Sequence, residues 1–294
     1  MILVTGATGQ FGTNAIDHLL KKGVHPSQIA ALVRDAGKAA ALQGKGIQIR
    51  VGDYTDYSSM VQAFTGVDKL LLVSSNDRQA VENRTAQHIN AIKAAKQAKV
   101  KHILYTSFVR KPLFENSAIA AFQNSHVQSE EFLKDSGIDF TILQNGIYLE
   151  MIPVFAGDKV AETGVILFPA SNGKASFVLR GELAEAASHV LTTQGHENKL
   201  YQLTSNTSVS FYDVAAALST MIGKKVAYQP MEVQAFEATL KAYGVPDLYI
   251  NMFTTWAVAL SQNTMDTLDD TLTKFLGRKP TTLNEFIEQV YTKG

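Results

Sequence analysis

The sequence predicts an α/β protein: a doubly wound parallel sheet of the Rossmann type with helices on both faces, plus a smaller C-terminal α/β cap lobe. Three observations carry that prediction. Short apolar runs alternate with amphipathic helical stretches through the first half of the chain. A glycine-rich turn closes the first run and opens the first helix. After about residue 146, Pro153, Gly157, Gly164, Pro169 and Gly173 break the pattern into short pieces.

In chain order, Ile-, Leu- and Val-rich runs predict strands at 2–5, 29–33, 47–51, 69–74, 101–106 and 139–144. The helix after the first run has the apolar stripe Phe11, Ala15, Leu19 and Leu20. Glu82 to Ala98 is alanine-rich and favours helix. Further on, helices are expected at about 181–193, 209–222 and 281–292, and a strand at 199–204. The expected division is a dinucleotide-binding domain over 1–149 and a smaller cap or substrate lobe over 150–294, partly interleaved with the first.

Composition narrows the function. The 294 residues carry 27 Lys plus Arg against 27 Asp plus Glu, so bulk charge draws the chain to neither nucleic acid nor an anionic membrane. The absence of cysteine excludes disulfides, thiol catalysis and thiolate metal sites. No metal is expected, because the seven histidines and the carboxylates form no ligand-spaced array. No apolar stretch approaches the ~20 residues of a membrane span, and Ile2-Leu3-Val4 leaves no room for a leader peptide, so the expected location is cytoplasmic.

The chemistry begins at Val4-Thr5-Gly6-Ala7-Thr8-Gly9-Gln10-Phe11-Gly12. One glycine permits the turn, one lets a pyrophosphate approach the backbone, and one lets helix pack on strand. The helix N-terminus then offers N–H groups and partial positive charge to the phosphates. Gly6, Thr8, Gly9, Gln10, Phe11 and Gly12 are therefore candidate cofactor residues. The second strand ends in Leu32-Val33-Arg34-Asp35. An arginine there can fork onto a 2′-phosphate, which favours NADPH over NADH, with Asp35 capping the next helix. In the alternative, Arg34 is a solvated charge and Asp35 binds the ribose. Asp53 and Tyr54 after the third strand are candidates for the adenine edge, and Ser74 and Ser75 after the fourth for the cofactor ribose or backbone.

Taken together, the T-G-A-T-G-Q-F-G opening, Arg34, Gly52-Asp53-Tyr54, Tyr105-Thr106-Ser107 and Leu143-Gln144-Asn145-Gly146 resemble the NmrA-like branch of the atypical short-chain dehydrogenase/reductases. Within it, the chain looks most like the bacterial NADPH:quinone oxidoreductases and triphenylmethane reductases. The likeness continues through Gly195-His196-Glu197-Asn198-Lys199 and Gly223-Lys224-Lys225-Val226. It implies an NADPH-dependent, flavin-free reductase of quinones or related conjugated acceptors such as dyes. The branch also contains dinucleotide-sensing regulators with little or no turnover, which is the alternative.

Ordinary short-chain dehydrogenases use Tyr-x-x-x-Lys, and none of the 10 tyrosines here has lysine four residues later. The corresponding helix carries His126-Val127-Gln128-Ser129-Glu130. That counts against oxidation of an alcohol, which needs an O–H proton removed with the hydride. A quinone or cationic dye is already electron-poor, and positioning alone supplies much of its acceleration.

Four residues are candidates at the chemistry. Asn145 ends the sixth strand and could bind the nicotinamide carboxamide or the acceptor; Tyr148 could line the acceptor pocket. His126 could donate a proton, and Ser107 could touch cofactor or substrate, with Tyr105 and Thr106 beside it on the cofactor. Each has an ordinary structural use as well, as turn, packing or strand end. Phe108, Phe114 and Phe122 could stack on an acceptor ring or pack a core. Tyr249, Met252, Phe253 and Trp256 form one helical stripe, expected as lobe core, with a lid or homodimer face as the other reading.

Overall fold

The computed structural model describes residues 1–75, 81–157 and 159–291. In its first half, strands β1 (Ile2–Val4), β2 (Ile29–Val33), β3 (Gln48–Val51), β4 (Lys69–Leu72), β5 (His102–Phe108) and β6 (Asp139–Asn145) alternate with helices. These helices are α1 (Gln10–Lys21), α2 (Ala40–Gly44), α3 (Tyr57–Phe64), α4 (Val81–Gln97) and α5 (Ala120–Lys134). All six expected strands form, with ends shifted by a residue or two as local pairing dictates.

The second half contributes short strands β7 (Ile147–Tyr148), β8 (Val165–Ile166), β9 (Lys174–Ala175) and β10 (Phe177–Val178), then β11 (Lys199–Leu203), β12 (Val209–Ser210) and β13 (Ala227–Tyr228). Its helices are α6 (Met151–Ala156), α7 (Val160–Thr163), α8 (Arg180–Thr192), α9 (Phe211–Ile222), α10 (Val233–Ala242), α11 (Asp247–Ser261), α12 (Thr271–Leu276) and α13 (Leu283–Tyr291). Helices α6, α7, α10 and α12 were not expected from the sequence.

The main sheet is parallel and has seven strands in the order β11-β6-β5-β4-β1-β2-β3. The order reverses between β1 and β4, the switch point outside which ligands bind in this architecture. Strand β11 is the strand expected near 199–204, but it extends the main sheet, pairing Leu203 with Asn145. Alternation along each buried strand feeds two cores. Val4, Ala31, Leu71, Leu104 and Leu143 face α1 and α8, whereas Leu3, Ala30, Leu70, Ile103 and Ile142 face α3, α4 and α5. Helix α8 lies against α1, and its alanines Ala184 and Ala187 are fully buried there. Such small side chains allow close approach, and the Ser188 hydroxyl donates to the Ala15 carbonyl across the interface at 2.9 Å.

A third core is built mainly from the second half, with Phe108, Val109 and Ile119 joining it, and centres on Phe155, Phe168, Phe211, Leu218 and Leu260. Phe155 and Phe168 stack at 4.7 Å. Phe253 and Trp256 of the expected α11 stripe pack on this core, while Tyr249 remains 41% exposed at its outer end. Among the described residues, no helix is long and apolar enough to cross a membrane.

Candidate active site

The turn after β1 is built as its glycines require. Gly6 has φ +57, the left-handed region where glycine carries no Cβ penalty. Gly9 caps α1 without a side-chain hydrogen bond, and the first turn of α1 holds no acidic residue. The amides of that turn have no intrahelical acceptor and open outward. Gly12 is buried, and a Cβ there would lie 2.8 Å from the Ala7 Cα, inside backbone contact. Phe11 is buried below the turn, while Thr8 and Gln10 are exposed on it.

At the end of β2, Arg34 is exposed and in no ion pair among the described residues, its charge reaching Asp53. The Asp35 carboxylate accepts from the Gly37 N–H at 2.9 Å, capping the following 3₁₀ turn. Asp35 is thus used as a cap. Asp53 likewise accepts from the Thr55 N–H and hydroxyl at 2.8 and 2.7 Å. Tyr54 reaches inward, its hydroxyl 2.6 Å from Thr5 Oγ1 and 2.7 Å from the Val73 carbonyl, where it ties the ends of β1 and β4 together. Burial pushes its phenol up from the ordinary value. Ser74 N–H donates to Thr106 Oγ1 at 2.8 Å, so the ends of β4 and β5 are also joined.

The ends of β5 and β6 lie side by side, with Ser107 opposite Gln144 and Phe108 opposite Asn145. Asn145 is 2% exposed, and neither atom of its amide has a hydrogen-bond partner among the described residues. A buried orphan amide is costly, and such groups ordinarily find partners. Gly146 follows because a Cβ there would lie 2.9 Å from the Ser176 carbonyl. Half-buried Tyr148 comes next, with the Arg180 guanidinium 4.4 Å over its ring. Burial raises the Tyr148 phenol, while the charges of Arg180 and Arg84 pull it down.

Helix α5 supplies the two positions that carry the Tyr/Lys pair in ordinary short-chain dehydrogenases. Glu130 stands at the lysine position, 1% exposed. It takes both Arg110 guanidinium N–H groups at 2.8 and 2.7 Å, the Ser107 hydroxyl at 2.5 Å and the Gln144 amide at 3.2 Å. Burial pushes its pKa up, but the bonds from Arg110, Ser107 and Gln144 outweigh that and hold it below the usual carboxylate range. His126, at the tyrosine position, is 2% exposed with both nitrogens engaged. Arg84 Nη2 donates to Nε2 at 3.0 Å, so the single proton of a neutral ring sits on Nδ1 and faces the Tyr105 hydroxyl at 2.8 Å. Burial, then Arg84, His88 and Arg110, hold the ring well below its ordinary pKa. His88 is assigned in the same way: Ser75 N–H donates to its Nε2 at 2.8 Å and Nδ1 faces Ser129 Oγ at 2.9 Å. Burial, then Arg84, lowers it to about 3.

An aromatic wall stands beside this network. Phe108, Phe122 and Trp256 meet edge to face at 5.2 to 5.9 Å, and Phe122 also contacts His126 at 5.1 Å. Phe114 is half-buried in a 3₁₀ turn and joins none of these pairs. Arg84, His88, Arg110, Gln144 and Arg180 carry no candidate role from the sequence; their surroundings come from helix and strand packing. Among the described residues, no group of three or more His, Cys, Asp or Glu is placed to hold a metal ion.

Fold and site together define a Rossmann dinucleotide-binding protein whose catalytic dyad positions are filled by a neutral histidine and an ion-paired glutamate. More narrowly, the NmrA-like family model matches residues 1–287, and the chain belongs to that family. It is 38% identical over 291 residues to quinone oxidoreductase 2 of Escherichia coli, covering 99% of both chains. The structure matches that of NADPH-dependent quinone oxidoreductase QOR2 from Escherichia coli complexed with NADPH, with TM-score 0.91 over 99% of this chain and 100% of that one, at 38% identity. It also matches Citrobacter sp. triphenylmethane reductase complexed with NADP(H), with TM-score 0.90 over 98% and 99% of the two chains, again at 38% identity.

Proposed function

We propose that the protein is an NADPH-dependent reductase, without flavin, that passes hydride to quinones or related conjugated aromatic acceptors such as dyes. The single observation that carries this reading is the Asn145 amide, buried and partnerless at the carboxyl end of β6. It stands at the carboxyl end of the sheet, where the dyad positions of α5 offer no proton-transfer pair. Whole-length likeness to a quinone oxidoreductase and a triphenylmethane reductase supports it.

The residues present fit a nicotinamide dinucleotide. The open first turn of α1 and the bare Gly6 and Gly9 backbone would hold the pyrophosphate, with Gly12 seating the helix close beneath them. Arg34 would take the 2′-phosphate, since Asp35 is occupied as a cap and no carboxylate pairs with Arg34 among the described residues. Asn145 would hold the carboxamide or the acceptor, with Tyr148 at its side. When bound, NADPH supplies the hydride.

What the chain supplies is position. Ser107 is held by Glu130, and the Phe108, Phe122 and Trp256 wall gives a flat ring an apolar surface. His126 is kept neutral, and burial raises Tyr105 and Tyr148, so none of these titrates near neutrality to serve as an acid. An acceptor that tolerates hydride first and a solvent proton later suits such a site. NADPH oxidation at 340 nm, with menadione or 1,4-benzoquinone and with NADH in parallel, tests the reading. Turnover that prefers NADPH, and loses that preference in Arg34→Ala, is expected. Tight dinucleotide binding with no turnover on any quinone or dye would replace it with the sensing alternative.

A further inference from the structure

Arg84 is a buried cation with no counter-ion among the described residues. Its side chain is 7% exposed, its face lies 4.3 Å over the Phe122 ring, and its Nη2 donates to a neutral imidazole. Its Nε has no partner among the described residues. The other charges nearby do not neutralise it. Arg110 and Glu130 close on each other, and Arg180 lies over Tyr148 with its own Nε unpartnered. The Glu150 carboxylate accepts the Arg180 main-chain N–H at 3.1 Å. A guanidinium remains protonated when buried, and a buried charge is retained only where something compensates it. Arg84 lies against the Phe122 face of the aromatic wall, and its charge reaches Tyr105 and Tyr148.

We propose that Arg84 is a catalytic residue that donates to the acceptor's carbonyl oxygen, making the site selective for acceptors that become anions on taking hydride. This rests on the reductase reading above. The charge balance distinguishes the two acceptor classes that reading allows. In a quinone, hydride delivered by NADPH would form an O–H bond at one carbonyl oxygen as the donor's C4–H bond breaks to leave NADP⁺, and an electron pair would pass through the ring to the second oxygen. That oxygen becomes an oxyanion, which solvent later protonates to give the hydroquinone. A negative charge thus develops where Arg84 can bind it more tightly than it bound the ground state. In a triarylmethyl cation the hydride forms a C–H bond at the central carbon and the positive charge vanishes. Arg84 repels that substrate and has nothing to stabilise in its product.

The test compares Arg84→Gln and Arg84→Lys with wild type on menadione and on crystal violet. In Arg84→Gln, kcat/KM for menadione should fall about 10- to 100-fold, the range of one charge-assisted hydrogen bond, and Arg84→Lys should recover part of it. Crystal violet reduction should be unchanged or faster. A second readout needs no turnover: calorimetric titration of the NADP⁺-bound protein with 2-hydroxy-1,4-naphthoquinone, ionised at pH 8. Wild type should bind this anion more tightly than neutral menadione, and Arg84→Gln should lose that preference. Equal losses on quinone and dye, weakened NADPH binding in Arg84→Gln, or no wild-type preference for the anion would each overturn the proposal. The wild-type comparison decides the matter even if Arg84→Gln fails to fold. If wild type reduces neither acceptor, the reductase reading fails while the anion titration still judges Arg84.

Discussion

Replacing Gly12 by alanine tests whether the phosphate site depends on the close seating of α1 under the glycine turn. The added Cβ would lie 2.8 Å from both the Ala7 Cα and the Gly6 carbonyl carbon. Ordinary carbon–carbon contact is about 3.5–4.0 Å, so the helix start must retreat by roughly 0.7 Å or more. All the atoms it meets are backbone, so no side chain can swing aside. An N–H···O bond tolerates only about 2.7–3.2 Å, and the same retreat carries the first-turn amides out of reach of a pyrophosphate. Losing those bonds is worth roughly 2–3 kcal/mol, or about 30- to 150-fold in Kd. Overpacking itself costs about 1–3 kcal/mol of stability. Calorimetric titration with NADPH and a thermal melt measure both. Gly9→Ala is the internal control for stability, because its Cβ would meet only the Gly6 carbonyl oxygen at 3.2 Å. Wild-type NADPH affinity with an unchanged melting temperature in Gly12→Ala would refute the reasoning.

Other perturbations separate stability from function. Asn145→Leu removes a buried amide without partners and should stabilise the ligand-free protein by about 1 kcal/mol while abolishing turnover, as read by melts and NADPH oxidation. Glu130→Gln leaves Arg110 without its ion partner and should cost roughly 2–3 kcal/mol in urea unfolding at pH 7. Because the Glu130 pKa is depressed in the fold, its contribution is full above its ordinary 4.5 and is lost as pH falls through the folded value; the gap between wild type and variant should close in acid. His88 is depressed from 6.5 to about 3, so across that window the unfolded chain takes a proton the fold refuses, and stability declines as pH falls. His88→Gln should remove about 1.4 kcal/mol per pH unit from that slope, measured by urea melts between pH 6 and pH 4.

What the sequence made legible was local. The glycine turn is a backbone requirement complete within seven residues, and Asp35 caps a turn two residues away. Strands β1, β2 and β4 at the middle of the sheet are buried on both faces, which writes them as nearly continuous apolar runs. The rest depends on partners far along the chain. Tyr54 follows a strand end as an adenine contact would, yet its hydroxyl is bound to Thr5 and Val73, 49 and 19 residues away. Arg84 stands on a helix that the sequence marks only as alanine-rich, with no role assigned to it. Only the packing of α4 on α5 places it against His126 and Phe122. Glu130 was visible as a departure from the lysine of the dyad, but its meaning required Arg110 and Gln144 to converge on it. The allegiance of β11 is not written in its own five residues, because period and composition do not name a neighbouring strand.

That allegiance sets an order of events during synthesis. When residue 145 has emerged, β6 is an unprotected sheet edge, and α1 still shows the surface that α8 will cover, including Ala15 and Ile16. The strand that closes the edge ends at Leu203. At about 5–20 residues per second, the nascent chain waits roughly 3–12 s with both surfaces open. Through that interval the half-built sheet can pair with a neighbouring nascent chain, so slow codons or a holdase would have most influence between residues 146 and 203.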